Sequence, residues 1–302
     1  MLDRSSILFI MNRLDIATRR QIVAALVEGN SIRATCRMTG AAKGTVLKLL
    51  ADLGEACDEY QDRAIRGLRV DLLQCDEIWS FCYAKDRSLP YTKAAPEGAG
   101  SVWTWTAIDP DTKLLLTWYV GDRDIKSATR FMFDVASRIE GPVQLTTDGL
   151  KAYQWAIACS FDNGMVDYGR LIKLYEGVAD GKSSGGRYSP PVCTGIKRET
   201  VMGNPDEALI STSHVERMNL TVRMSNRRFT RLTNGHSKKL QNHSYALALH
   251  FMHYNFARKH MSLKGKTPAM VAGIADHVWS IEEIIALLPE KAGRFAKIGI
   301  AA

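Results

Sequence analysis

No apolar run in the 302 residues approaches the roughly 20 that a membrane-spanning helix requires. The opening stretch MLDRSSILFIMNRLD has a short apolar patch but no long hydrophobic region and no small-residue cleavage site, so no signal peptide is expected. The six cysteines, Cys36, Cys57, Cys75, Cys82, Cys159 and Cys193, form no C-x-x-C pair. That argues against a zinc knuckle and against a disulfide framework, and leaves small buried thiols in a reducing, cytoplasmic setting. Internal repeats and low-complexity tracts are also missing. What remains, 46% hydrophobic and 24% charged, is ordinary globular composition.

Acid is scarce in one place. Between Glu216 and Asp276 the chain has no Asp or Glu. From Ser211 to Met270 eleven Lys and Arg stand against one acid, a net of +10 in a chain of net +8, which leaves about −2 elsewhere. The excess is therefore one block. A localised basic block favours a polyanion partner, most often nucleic acid. A solvated charged face is the plainer alternative, although such faces mostly mix signs.

Three segments emerge. Residues 1–56 read as a small all-α domain. LDIATRRQIVAALVEG carries Leu14, Ile22, Ala25 and Leu26 at helical spacing and stops at Gly29. Ser31 opens a short helix that closes on Gly40, and a third helix puts Val46, Leu49, Leu50 and Leu53 on its apolar side. The two short helices about Thr39-Gly40-Ala41, with Lys43, Thr45 and Lys48 on the second, fit a DNA-binding helix-turn-helix. A structural cap of three small helices stays open as the alternative. Residues 57–69 read as a charged helical linker.

From about Arg69 the period changes. Trp79, Phe81 and Tyr83 alternate with Ser80 and Cys82, a strand signal. SVWTWTAIDPDTKLLLTWYVGDRD reads as two strands joined at Asp109-Pro110-Asp111-Thr112, a turn role that suffices for both aspartates. IKSATRFMFDVASRIE is then a helix, VQLTTDG a strand, LKAYQWAIACSF a helix and YGRLIKLYEG a strand. The order strand, hairpin, helix, strand, helix, strand specifies an α/β fold with a mixed sheet. Residues 177–210, rich in Gly, Ser and Pro, read as a long irregular insertion or a β-hairpin. The chain is helical from about Thr212, and SIEEIIALLPE is an amphipathic helix near its end.

Three carboxylates stand apart. Asp76 lies within the first strand, in LLQCDEIWSF; Asp148 ends a later one, in QLTTDGLKAY; Glu216 falls in the first turn of a helix. An Asp before Gly at a strand end can simply begin a turn. With this strand order, however, the first strand is central and the fourth lies beside it, so both aspartates share one edge of the sheet. A later helix can bring Glu216 over them. Converging carboxylates repel unless cations neutralise them. Two Mg²⁺ or Mn²⁺ ions about 3.5–4 Å apart would do so and would grip a phosphodiester. Asp76 is expected to bridge both ions, with Asp148 and Glu216 each completing one.

These residues carry a family resemblance. DEIWSF at 76–81, TTDGLKAY at 146–153, HVERMNLTVR at 214–223 and the basic run SNRRFTRLTNGHSKK resemble the DDE transposases, most closely the insertion-sequence-one (IS-one) type. The resemblance covers about residues 70–265. It implies an RNase H-like mixed sheet with flanking helices, preceded by the helix-turn-helix domain and followed by C-terminal helices at 266–302. It implies Asp76, Asp148 and Glu216 as a catalytic, metal-binding triad that cleaves and joins DNA strands. Asn219 and Arg223, one and two turns after Glu216, are expected to touch DNA or orient the Glu. Arg227, Arg228, Arg231, Lys238 and Lys239 are expected on the DNA backbone. The partners implied are double-stranded DNA, both element ends and target, and further copies of the chain, at least a dimer. The setting implied is cytoplasmic and nucleoid-associated. Members of this type often carry an N-terminal zinc finger of paired cysteines, absent here, so the helix-turn-helix is expected to take its place in end recognition.

Other residues invite chemistry without holding it. His243, His250 and His253 lack a His-Glu-x-x-His pattern and read as phosphate contacts or helix-interface packing. His214 is a weak candidate for assisting protonation. Trp79, Trp103, Trp105 and Trp118 read as sheet packing, and Glu77 points to the strand face opposite Asp76, which argues against it as a ligand.

Overall fold

A computed structural model of the chain describes residues 14–175 and 193–289. Its first three helices each start and stop for local reasons. In α1 (Ile16–Val27) the Asp15 carboxylate accepts from the Thr18 N–H at 2.6 Å, and Ile22, Val23 and Val27 are buried. In α2 (Ile32–Thr39) the Ser31 hydroxyl accepts from the Ala34 N–H at 3.1 Å, and Gly40 ends the helix in the left-handed region that favours glycine.

The third helix, α3 (Lys43–Ala64), runs unbroken for 22 residues. The boundary expected at residue 56 therefore falls inside it, and the first part of the expected linker is its last turns. The reason is packing. Val46, Leu49, Leu50, Leu53 and Cys57 form a buried stripe that persists past the boundary, and Gln61 follows it. This stripe meets α7 (Leu240–Met252), with the Gln61 amide donating to the Ala248 carbonyl at 3.2 Å and the Tyr245 hydroxyl donating to Glu55 at 2.6 Å. Gly54 permits the approach, because a Cβ there would lie 2.5 Å from the Cβ of Tyr245. The N-terminal helices share one apolar core with the sheet and the C-terminal helices.

The sheet has six strands in the order β3-β2-β1-β4-β5-β6. They are β1 (Leu72–Cys82), β2 (Gly100–Ile108), β3 (Leu115–Gly121), β4 (Val143–Thr147), β5 (Val166–Tyr175) and β6 (Cys193–Met202). β1 is antiparallel to β2 and parallel to β4, β4 is parallel to β5, and β5 is antiparallel to β6. The turn between β2 and β3 uses Asp109 as expected: its carboxylate accepts from the Asp111 N–H at 2.8 Å and the Thr112 hydroxyl at 2.6 Å. Within 177–210, residues 193–202 are an edge strand that pairs with β5 through two register shifts, and residues 177–192 lie outside the described residues.

Alternation along the strands separates two apolar layers. Leu73, Cys75, Trp105 and Leu145 face α4 (Ile125–Ala136) and α5 (Ala152–Ser160), where Phe131, Met132, Tyr153 and Ile157 are buried. Ile78, Ile108 and Leu115 face α6 (Ser213–Ser225) and α7, meeting Val215, Met218, Val222, Leu247 and Phe251. Each such fully buried side chain contributes about 1.5–3 kcal/mol relative to exposure. Two short helices, α8 (Pro268–Val271) and α9 (Ile281–Ala286), fold back toward α1, where Arg20 pairs with Glu282 at 3.0 Å. The whole is a mixed α/β architecture compatible with an RNase H-like core. No helix of the described residues is long and apolar enough to cross a membrane.

Candidate active site

Register brings the two aspartates together. Gln74 of β1 pairs with Thr146 of parallel β4, so the same register two residues on sets Asp76 beside Asp148. Asp76, Glu77 and Asp148 each offer a carboxylate oxygen, and the three oxygens lie within 4.8 Å of one another. Burial and then the neighbouring Glu77 and Asp148 charges push the Asp76 carboxyl up to about 7. The Asn219 amide of α6 donates to Asp76 Oδ2 at 2.8 Å.

Glu77 is a correction to strand alternation taken alone. Its side chain does start on the face opposite Asp76, where it accepts from the Tyr153 hydroxyl at 3.1 Å. Asp148, however, lies one residue past the end of β4, and Arg123 joins Glu77 to it. The guanidinium donates to Glu77 at 2.6 Å and to Asp148 Oδ2 at 3.5 Å, and stacks over Trp103 at 4.9 Å. Asp148 Oδ1 meanwhile accepts from the Leu150 N–H at 2.9 Å, so the turn role also holds and occupies one oxygen.

Glu216 stands outside that cluster of three among the described residues. Its carboxylate accepts from the Thr212 hydroxyl at 2.5 Å and pairs with Lys173 of β5 at 2.6 Å. It remains near enough for its charge to add to the lift on Asp76. What places it is Gln74. The buried Gln74 Oε1 accepts from the His214 and Val215 N–H groups at 2.9 and 3.1 Å, capping α6 from the strand that carries Asp76. The helix has no side-chain cap of its own from Thr212.

The donor set is entirely oxygen, and Asp76 sits under surplus negative charge. Both features fit a hard divalent cation. Glu77, Arg123, Lys173 and Gln74 were not singled out as participants by their sequence. A polar Gln74 in an apolar strand, two residues before Asp76 and on its face, was the one available signal.

The residues expected on DNA fare differently. Lys43, Arg231, Lys238 and Lys239 are exposed, while Thr45, Arg223 and Arg227 are half-buried. Lys48 is exposed but pairs with Asp52 at 2.7 Å. Half-buried Arg228 donates to the Ser237 hydroxyl at 3.2 Å. Asn219 is buried and turned to Asp76. His243 and His250 are buried in the interface of α7, and burial pushes each imidazole down to about 3. His214 approaches Lys113 at 3.1 Å and is lowered by burial and then by that cation.

No family model and no curated protein matches the chain. Among solved structures it is similar to a piggyBac transposase synaptic complex with hairpin DNA, at 10% identity and a TM-score of 0.35, covering 95% of this chain and 61% of that one. It is also similar to a Mos1 transposase paired-end complex with the left transposon end, at 10% identity and a TM-score of 0.20, covering 47% of this chain and 56% of that one. The chain thus spans about three fifths of the length of the first structure (61%).

Proposed function

We propose that the chain is a DNA transposase of the insertion-sequence-one type, which cleaves and joins DNA strands at Asp76, Asp148 and Glu216. The observation that supports it most is the adjacency of Asp76 on β1 and Asp148 just past the end of parallel β4, with the Glu216 helix capped by Gln74 of β1. Asp76, Asp148 and Glu216 would hold two Mg²⁺ or Mn²⁺ ions. When bound, such ions supply activation of a water or DNA 3′-hydroxyl and stabilisation of the leaving oxygen.

The surrounding side chains orient and neutralise. Asn219 fixes one Asp76 oxygen, leaving Oδ1 of that carboxylate for other ligands. Arg123 holds Asp148 in place through Oδ2 and offsets the Glu77 charge. Lys173 restrains Glu216 through their ion pair at 2.6 Å. Lys43, Thr45, Lys48, Arg223, Arg227, Arg231, Lys238 and Lys239 would grip the duplex backbone of element ends and target. The proposal includes a helix-turn-helix role for α2 and α3 in end recognition, and an assembly of at least two protomers, because strand joining pairs two ends.

The test incubates purified protein with labelled element ends, a target plasmid and Mg²⁺. Joined products that vanish in Asp76→Ala, Asp148→Ala and Glu216→Gln support the proposal. Cleavage without joining points instead to a nuclease, and binding alone to a DNA-binding protein. Unaltered joining by Asp76→Ala sinks the active-site assignment.

A further inference from the structure

A second feature lies away from the carboxylates. A groove of about 680 Å³ opens between α2–α3 and the segment that joins α6 to α7. Among the described residues seven cations line it and no acid does: Arg33, Arg37 and Lys43 on one wall, Arg227, Arg228, Lys238 and Lys239 on the other. Among the described residues none of the seven makes an ion pair with an acid. The N-termini of α3 and α7 reach the groove at Lys43 and Lys239, and neither has a side-chain cap. Their free N–H groups add to the positive field. So many uncompensated cations facing one groove oppose folding through mutual repulsion, and an anion relieves it.

The groove is more than a basic patch. Leu26, Ile32, Leu47, Leu50 and Leu249 give it an apolar floor. His250, at 4% exposure, also lines it, and among the described residues neither of its ring nitrogens has a hydrogen-bond partner. Two unpaired nitrogens on a buried ring cost stability unless something pairs them. Burial keeps this imidazole neutral, so it presents one donor and one acceptor.

We propose that the groove is a nucleotide site, with the base on the apolar floor against His250 and the phosphate on the basic walls. A base edge carries donors and acceptors together and has an apolar face, matching the floor, whereas an acidic peptide side chain only accepts. A mononucleotide fits within 680 Å³, with room left for its phosphates. The nucleotide has two sources, a free nucleotide or one extruded from bound DNA. Only the second source rests on the proposed function.

The experiment uses the full chain and 2-aminopurine, whose fluorescence reports stacking. One arm titrates 2-aminopurine deoxyribonucleoside monophosphate and follows polarisation. The other places a single 2-aminopurine at successive positions of an end-labelled duplex and follows brightening at saturation of the label. Saturable binding in the first arm, or position-specific brightening in the second, is expected. Each should weaken roughly tenfold in Lys43→Ala and in Lys239→Ala, which alter exposed side chains and leave the core intact. His250→Gln, which keeps a donor and an acceptor, should retain more of the signal than His250→Leu. Duplex binding without brightening, together with no binding of the monophosphate, overturns the nucleotide site and leaves the DNA reading standing. Monophosphate binding without duplex binding does the reverse. Displacement by inorganic pyrophosphate at equal concentration reduces the groove to an anion patch and also overturns the proposal.

Discussion

Gln74→Ala tests whether β1 positions α6. The wild-type oxygen serves two N–H groups, of buried Val215 and half-buried His214, at 3.1 and 2.9 Å. Truncation orphans both. A buried donor left unpaired costs roughly 1–3 kcal/mol, and water reaching the His214 end recovers part of that. The expected loss is about 2 kcal/mol, or a fall in Tm of roughly 3 °C for a chain of this size. Denaturant and thermal unfolding measure it. Gln74→Glu keeps the acceptor and favours the helix N-terminus, so it should recover most of the stability. It also puts a carboxylate two residues from Asp76, so cleavage should remain impaired. A Gln74→Ala protein within about 0.5 kcal/mol of wild type, the range of an ordinary surface change, would refute the capping argument.

Asn219→Ala frees the Asp76 oxygen it holds at 2.8 Å and should lower strand cleavage about 10–100-fold while the fold persists by circular dichroism. Gly54→Ala drives a methyl into Tyr245 and should destabilise by about 1–3 kcal/mol in urea, whereas Gly44→Ala, with nothing nearby, should be neutral or stabilising. The opposite order would mean that α3 does not dock on α7. At the start of α9, the Ser280 N–H and then His277 hold the Glu283 carboxyl down to about 2, and the Asp276 and Glu283 carboxylates raise His277. The Glu283 contribution is present above its ordinary 4.5 and fades as pH falls toward about 2; the His277 contribution is present below its ordinary 6.5 and fades as pH rises through the raised value. Thermal unfolding of Glu283→Ala should therefore differ most from wild type between about pH 4.5 and 6.5 and converge with it toward pH 2.

Much of the architecture was legible in the residues because the determinants are local. Ser31 and Gly40 bound a helix through their own side chain and backbone, Asp109 closes a hairpin by bonding two and three residues on, and period-two alternation marked β1. Val215, Met218 and Val222, at helical spacing, likewise form the buried face of α6. These effects act within a few residues, so the linear order suffices for them.

Tertiary structure decided everything that joins distant residues. The reach of Glu77 to the carboxylate cluster, the Arg123 clamp, the Lys173 partner of Glu216 and the Gln74 cap all depend on strand register and helix docking. The same holds for α3, whose expected end at residue 56 is erased by a stripe that finds α7 nearly two hundred residues away, as in the Gln61 bond to Ala248. Charge composition located a basic block but not a groove, because Arg33, Arg37 and Lys43 join it only across the fold. By itself the sequence determined most of the helices, strands and turns and pointed to Asp76, Asp148 and Glu216, whereas β6, the end of α3 and the place of Glu77 came from the fold. The electrostatics of the carboxylates were left to the folded state, since a carboxyl moves to about 7, as Asp76 does, only when burial and neighbouring charges act on it together.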